Sequence, residues 1–195
     1  VALDYLPLIV GPELVNTLFP LRPDPGPGRE FRLTHYEPKR NAFMPVEFSA
    51  AAFRFGHSQV RPAYHLSSLV QDRPIFLPGN VGPLDDLRGF RPLPGQWTID
   101  WSFFLGIDGS TPQPSRLIDA KLAAGLFTLP GSEDSLALRN LRRGQALDLP
   151  SGQAVAAHLG VPVRTGAELG TELDPTPLWF YILYIFLQNI RKCQA

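Results

Sequence analysis

Four histidines, His35, His57, His65 and His158, are the side chains best suited to bind a metal or move a proton near neutral pH. Around them, several familiar kinds of catalytic site lack their sequence support. There is no His-Glu-x-x-His pair for a zinc protease, no Gly-x-Ser-x-Gly elbow for a serine hydrolase and no glycine-rich phosphate loop. The single cysteine, Cys193, excludes an internal disulfide framework and any Cys-based zinc site. What remains is a histidine presented by an apolar segment.

That histidine is His57. Pro45 suits the first turn of a helix. Val46, Ala50, Phe53, His57 and Val60 follow at gaps of four, three, four and three, which predicts one continuous helical face from Pro45 to about Val60. A lone histidine on such a face is usually a hydrogen-bonded core residue, and that reading stands beside the functional one. Two neighbours favour a ligand. Gly56 costs a helix about 1 kcal/mol relative to Ala, so it serves close approach of something bulky. Arg54 lies one turn before His57, and a guanidinium among phenylalanines and alanines needs an anionic partner. A haem would meet both needs, offering iron to the imidazole and propionates to the arginine.

The elements that must position His57 read as mainly α, with long Pro/Gly-rich loops. The 21 prolines among 195 residues are roughly twice the usual share of about 5%. Leu3, Leu6, Ile9 and Val10 recur at helical spacing, and residues 20–28 alternate proline and glycine as a loop. The stretch 72–94 is irregular, and 99–105 is a short apolar run containing Trp101. Further helices are predicted from Ser115 to about Gly125 and from about Asp134 to Arg143. A short helix capped by Ser151 ends at Gly160, and a final aromatic-rich helix opens at Pro175 or Pro177. No run of strand alternation and no internal repeat is visible.

Charge and hydropathy narrow the partners. Lys plus Arg equals Asp plus Glu, 18 each, so no net field draws the chain to nucleic acid or anionic lipid. The most apolar run, Leu178 to Leu187, is about half the ~20 residues that a membrane-spanning helix needs. A packed core helix is the better reading. No secretory signal is visible at the Val1-Ala2-Leu3-Asp4 start, which leaves the compartment open.

The segment Met44-Pro45-Val46-Glu47-Phe48-Ser49-Ala50-Ala51-Ala52-Phe53-Arg54-Phe55-Gly56-His57-Ser58 resembles the proximal helix of the animal-type haem peroxidases, the peroxidase–cyclooxygenase superfamily. Its details are closer to bacterial members. Other blocks keep the family's order. They are residues 4–11, Pro114 to Asp119, Leu129-Pro130, Asn140 to Gly144, Leu149 to Gln153, and Thr176 to Leu183. The resemblance implies an animal-type haem peroxidase fold, with 1–195 as the C-terminal portion of a single peroxidase domain that carries the proximal side of the haem.

The resemblance also implies roles. His57 would be the axial iron ligand, and Asn140 would accept a hydrogen bond from its other ring nitrogen. Arg54 and Arg143 would pair with haem propionates. Without the resemblance, Asn140 reads as a cap or turn residue, and Arg142 and Arg143 as a solvated helix end. The implied partners are hydrogen peroxide and a small organic or halide donor. The distal histidine and arginine of such enzymes, and the acidic residues that attach haem covalently in mammalian members, are expected in an N-terminal half upstream of this chain. None of its residues is therefore assigned a distal catalytic role. After Leu183 the sequence departs from the family's polar pattern, which points to incompleteness at both ends. Cyclooxygenase-type members place a radical-forming tyrosine three positions before the proximal histidine. Arg54 stands there, favouring peroxidase over fatty-acid dioxygenase chemistry. A remnant that folds or binds a partner without haem is the third reading.

Overall fold

The computed structural model describes residues 7–8, 11–18, 35–36, 41–79, 81–92 and 94–193. The predicted N-terminal helix falls largely, and the 20–28 loop wholly, outside them. The chain forms two compact units, 1–44 and 45–195. The first contains helix α1 (Pro12–Leu18), with Val15 buried. In the same unit the Tyr36 hydroxyl accepts the Phe43 backbone N–H at 2.8 Å.

The second unit is built from helices α2 (Val46–Ala50), α3 (Leu136–Ala146), α4 (Gly152–His158) and α5 (Leu178–Cys193). Short 3₁₀ segments and irregular loops join them. Strand structure within named elements is confined, among the described residues, to β1 (Ala63–Tyr64) paired antiparallel with β2 (Arg73–Pro74). The fold is thus mainly helical, as the spacing of apolar residues predicts.

Caps set the helix boundaries where side chains supply them. Ser135 accepts the Leu138 N–H and opens α3, and Ser151 accepts the Ala154 N–H and opens α4. Gly160, at φ +66°, stops the chain from continuing α4. The aromatic-rich α5 supplies the core: Leu178, Trp179 and Leu183 pack with Ala51, and Phe55, Leu141 and Leu149 close around them. Tyr181, on the same helix, packs with Ala156 and Leu169. No helix among the described residues is long and apolar enough to cross a membrane.

Two sequence expectations need correction. The segment 45–60 is not one α-helix. It is α2, a break at Ala51 (φ −127°, ψ −66°), and an eight-residue 3₁₀ helix, Ala52–Gln59. Gly56 weakens the α alternative, and the Trp179 indole N–H donates to the Arg54 carbonyl at 3.4 Å, drawing that oxygen outwards. The proposed common face is split accordingly. Ala50 is buried, whereas Val46 and Phe53 are exposed. Second, residues 115–125 form no α-helix, only the start of a 3₁₀ turn at Ala124–Leu126. The chain there is held as a strap across the 3₁₀ helix. Arg116 donates to the Val60 carbonyl at 3.1 Å, and the Asp119 N–H reaches the Ser58 hydroxyl at 3.4 Å.

The irregular stretch 72–94 has an internal anchor. Asp86 is fully buried and accepts the Leu77 N–H, the Arg88 guanidinium and Arg91. Burial alone would push its carboxyl up. The Arg88 hydrogen bonds and the backbone N–H groups of Leu77 and Arg88 overcome this and hold it at about 2. Gln113 fastens the neighbouring loop, accepting from Arg61 and the His65 N–H while donating to the His65 and Phe103 carbonyls.

Candidate functional site: an imidazole between an amide and two guanidiniums

His57 sits near the end of the 3₁₀ helix. In a 3₁₀ helix residues three apart eclipse, so Arg54 stands over His57 more directly than an α-helix would allow. Across from them α3 presents Asn140 and Arg143, three apart and thus on one face. Asn140 is 1% exposed, the most deeply buried polar side chain on α3. Its amide nitrogen lies 2.9 Å from His57 Nδ1, and its amide oxygen accepts from Arg143 Nη1 at 3.0 Å. All four residues singled out from the sequence, 83 positions apart at the key contact, are therefore neighbours.

The electrostatics are one-sided. His57 holds its proton less readily than an ordinary histidine, first because it is partly buried and then because Arg54 and Arg143 are close. Arg54 is shifted down by burial and by Arg143. Among the described residues neither guanidinium forms an ion pair with a carboxylate, and the buried Nε of Arg54 has no hydrogen-bond partner. A neutral imidazole flanked by two guanidiniums without a carboxylate partner among the described residues could accommodate an anion. Arg142, by contrast, turns away to Asp134 at 2.5 Å.

The residues fit a haem. The orphaned Arg54 Nε and the two guanidiniums without carboxylate partners among the described residues match carboxylate groups, and a Cβ on Gly56 would meet nothing within 4 Å. Among the described residues no three His, Cys, Asp or Glu side chains gather to hold a bare ion. A macrocycle brings its own ligands and needs only one imidazole.

His65 serves a loop. His65 Nδ1 accepts the Asp72 N–H at 3.1 Å, and the ring lies near Phe103. Two contributors escaped sequence reasoning: Trp179, which fastens the Arg54 carbonyl, and the link from Arg143 to Asn140. The three-residue spacing of Asn140 and Arg143 was a signal for the second. Nothing in the sequence pairs Trp179 with Arg54.

Residues 1–80, which include His57, match the animal haem peroxidase family. Human thyroid peroxidase is 28% identical over 190 residues, covering 87% of this chain and 17% of that protein. Thyroid peroxidase of Canis lupus familiaris is 30% identical over 185 residues, covering 85% and 17%. No solved structure matches. The chain belongs to the animal-type haem peroxidase superfamily, and it spans about a sixth of the length of the curated relatives it matches.

Proposed function

We propose that this chain is the proximal, haem-holding portion of one peroxidase domain, with His57 as the axial iron ligand. The observation that carries this reading is the constellation itself: an imidazole braced by a buried amide, between two guanidiniums that lack acidic partners among the described residues. Asn140 would fix the plane of the ring, and Arg54 and Arg143 would receive the propionates through charge-assisted hydrogen bonds. The packing of Trp179 and Ala51 behind the 3₁₀ helix would keep the imidazole from retreating.

When bound, the haem iron would supply the redox chemistry that reduces hydrogen peroxide at the expense of an organic or halide donor. The residues here hold and orient. Proton transfer at the peroxide oxygens would need groups on the opposite face, and no residue of this chain is assigned to that task. The fatty-acid dioxygenase reading is less well supported, because Arg54 occupies the position of the radical-forming tyrosine.

The test is a haemin titration followed by absorption, wild type beside His57→Ala. A Soret shift that saturates at one haem per chain and is lost in the variant is expected. An identical spectrum in both would assign the ligand to another residue. No saturable binding in the wild type would overturn the reading.

A further inference from the structure

We infer that Arg143 acts as a latch on the proximal histidine, biasing His57 towards a tautomer that disfavours iron ligation until an anion draws the guanidinium away. Arginine can only donate hydrogen bonds, and Arg143 Nη1 lies 3.0 Å from the Asn140 amide oxygen. That contact fixes which way round the amide stands. The other end of the amide, a donor, then faces His57 Nδ1 at 2.9 Å. A ring nitrogen that accepts a hydrogen bond carries no proton, so the proton of this neutral imidazole sits on Nε2.

Ligation through Nε2 requires the opposite arrangement. Nε2 must be bare, the proton must move to Nδ1, and Nδ1–H needs an acceptor. Asn140 becomes that acceptor only by turning its amide over. The turn would aim the amide NH₂ group at Arg143, donor against donor, inside a site where Asn140 is 1% exposed. The guanidinium therefore has to leave before the amide can turn. Arg143 is only part-buried, and it has no carboxylate partner among the described residues to draw it away. An incoming carboxylate group would do so. Anion capture by Arg143 and readiness of His57 to bind a metal are then one event, coupled through a single amide.

The coupling rests on the reading of His57 as the ligand, but the latch itself is testable without haem. Imidazole ¹⁵N shifts of the haem-free chain report the tautomer directly. The wild type is expected to show Nε2–H with Nδ1 bare, and Arg143→Met to shift population to Nδ1–H. A wild-type ring protonated on Nδ1, or an unchanged tautomer in the variant, would overturn the latch. The wild-type spectrum decides even where the variant fails to fold.

A second arm uses ferric protoporphyrin dimethyl ester, which lacks the carboxylates. If Arg143 merely pairs with propionates, wild type and Arg143→Met should bind the ester equally. The latch predicts tighter binding by the variant, on the order of tenfold, the equilibrium worth of one charge-assisted hydrogen bond. Equal affinities would refute it. Failure of haemin to bind at all would sink the ligand assignment, while the tautomer measurement would still judge the latch.

Discussion

Gly152 is the position at which one added methyl group should do most damage. It opens α4, and its N–H donates to the Thr176 carbonyl at 2.9 Å, tying α4 to the start of α5. A Cβ there would lie 2.0 Å from Tyr181 Cγ and 2.2 Å from Tyr181 Cβ. Carbon atoms pack at about 3.5 Å, so the helices must part by roughly 1.5 Å or the ring must leave its place. The clash is at the root of the ring, where no rotamer change relieves it. Tyr181 is 5% exposed, and its hydroxyl accepts the Arg164 N–H at 3.0 Å. Overpacking of this kind costs about 1–3 kcal/mol, and the lost hydrogen bond about 1 more. Gly152→Ala should therefore destabilise the chain by roughly 2–4 kcal/mol, a large part of the 5–15 kcal/mol typical of a domain. With a urea m-value near 2 kcal/mol/M, the unfolding midpoint should fall by about 1–2 M at unchanged slope. Gly144→Ala is the control: its Cβ would touch only Leu149 Cδ1, at an ordinary 3.8 Å, so the midpoint should hold or rise. A Gly152→Ala midpoint within about 0.2 M of wild type would refute the interlock of α4 with Tyr181.

Asp86 makes the chain acid-sensitive in a defined window. Its carboxyl sits at about 2 when folded against 3.8 when free, so its contribution is complete above pH 3.8 and drains as pH falls towards 2. The loss is about 2 kcal/mol, read as a falling urea midpoint between pH 4 and 2, and Asp86→Asn should lack that slope. Ser135→Ala removes the side-chain cap of α3 and should cost about 1 kcal/mol, measurable by thermal melting. Asn140→Ala should retain haem but lower the imidazolate character of His57, raising the reduction potential. An unmoved potential would reduce Asn140 to a packing role.

The sequence disclosed helices wherever local signals were complete. Ser135, Ser151 and Gly160 mark the ends of α3 and α4 by chemistry that acts over three or four residues. It failed where distant partners decide. Residues 115–125 carry helix-compatible spacing, yet Arg116 and Asp119 are committed to Val60 and Ser58, and those contacts hold the chain out of a helix. The regular face drawn through Val46 and Phe53 likewise ignored the break at Ala51 and the pull of Trp179 on Arg54. At the site, His57 and Arg54 could be picked out from residue types alone. Asn140 and Arg143 could not, because nothing local tells a helix residue that it will meet an imidazole 83 positions away. Only the resemblance joined them.

That separation bears on the order of folding. The His57–Asn140 contact closes a loop of 83 residues, and the Trp179–Arg54 contact one of 125. Closing long loops is slow, although each doubling of length costs only about 0.6 kcal/mol. The hairpin of β1 and β2 and the caps of α3 and α4 involve much nearer neighbours and can assemble first. The His57–Asn140 cluster is then among the last features to form, and the 3₁₀ helix 52–59 should exchange its amide hydrogens sooner than α3 or α5 do.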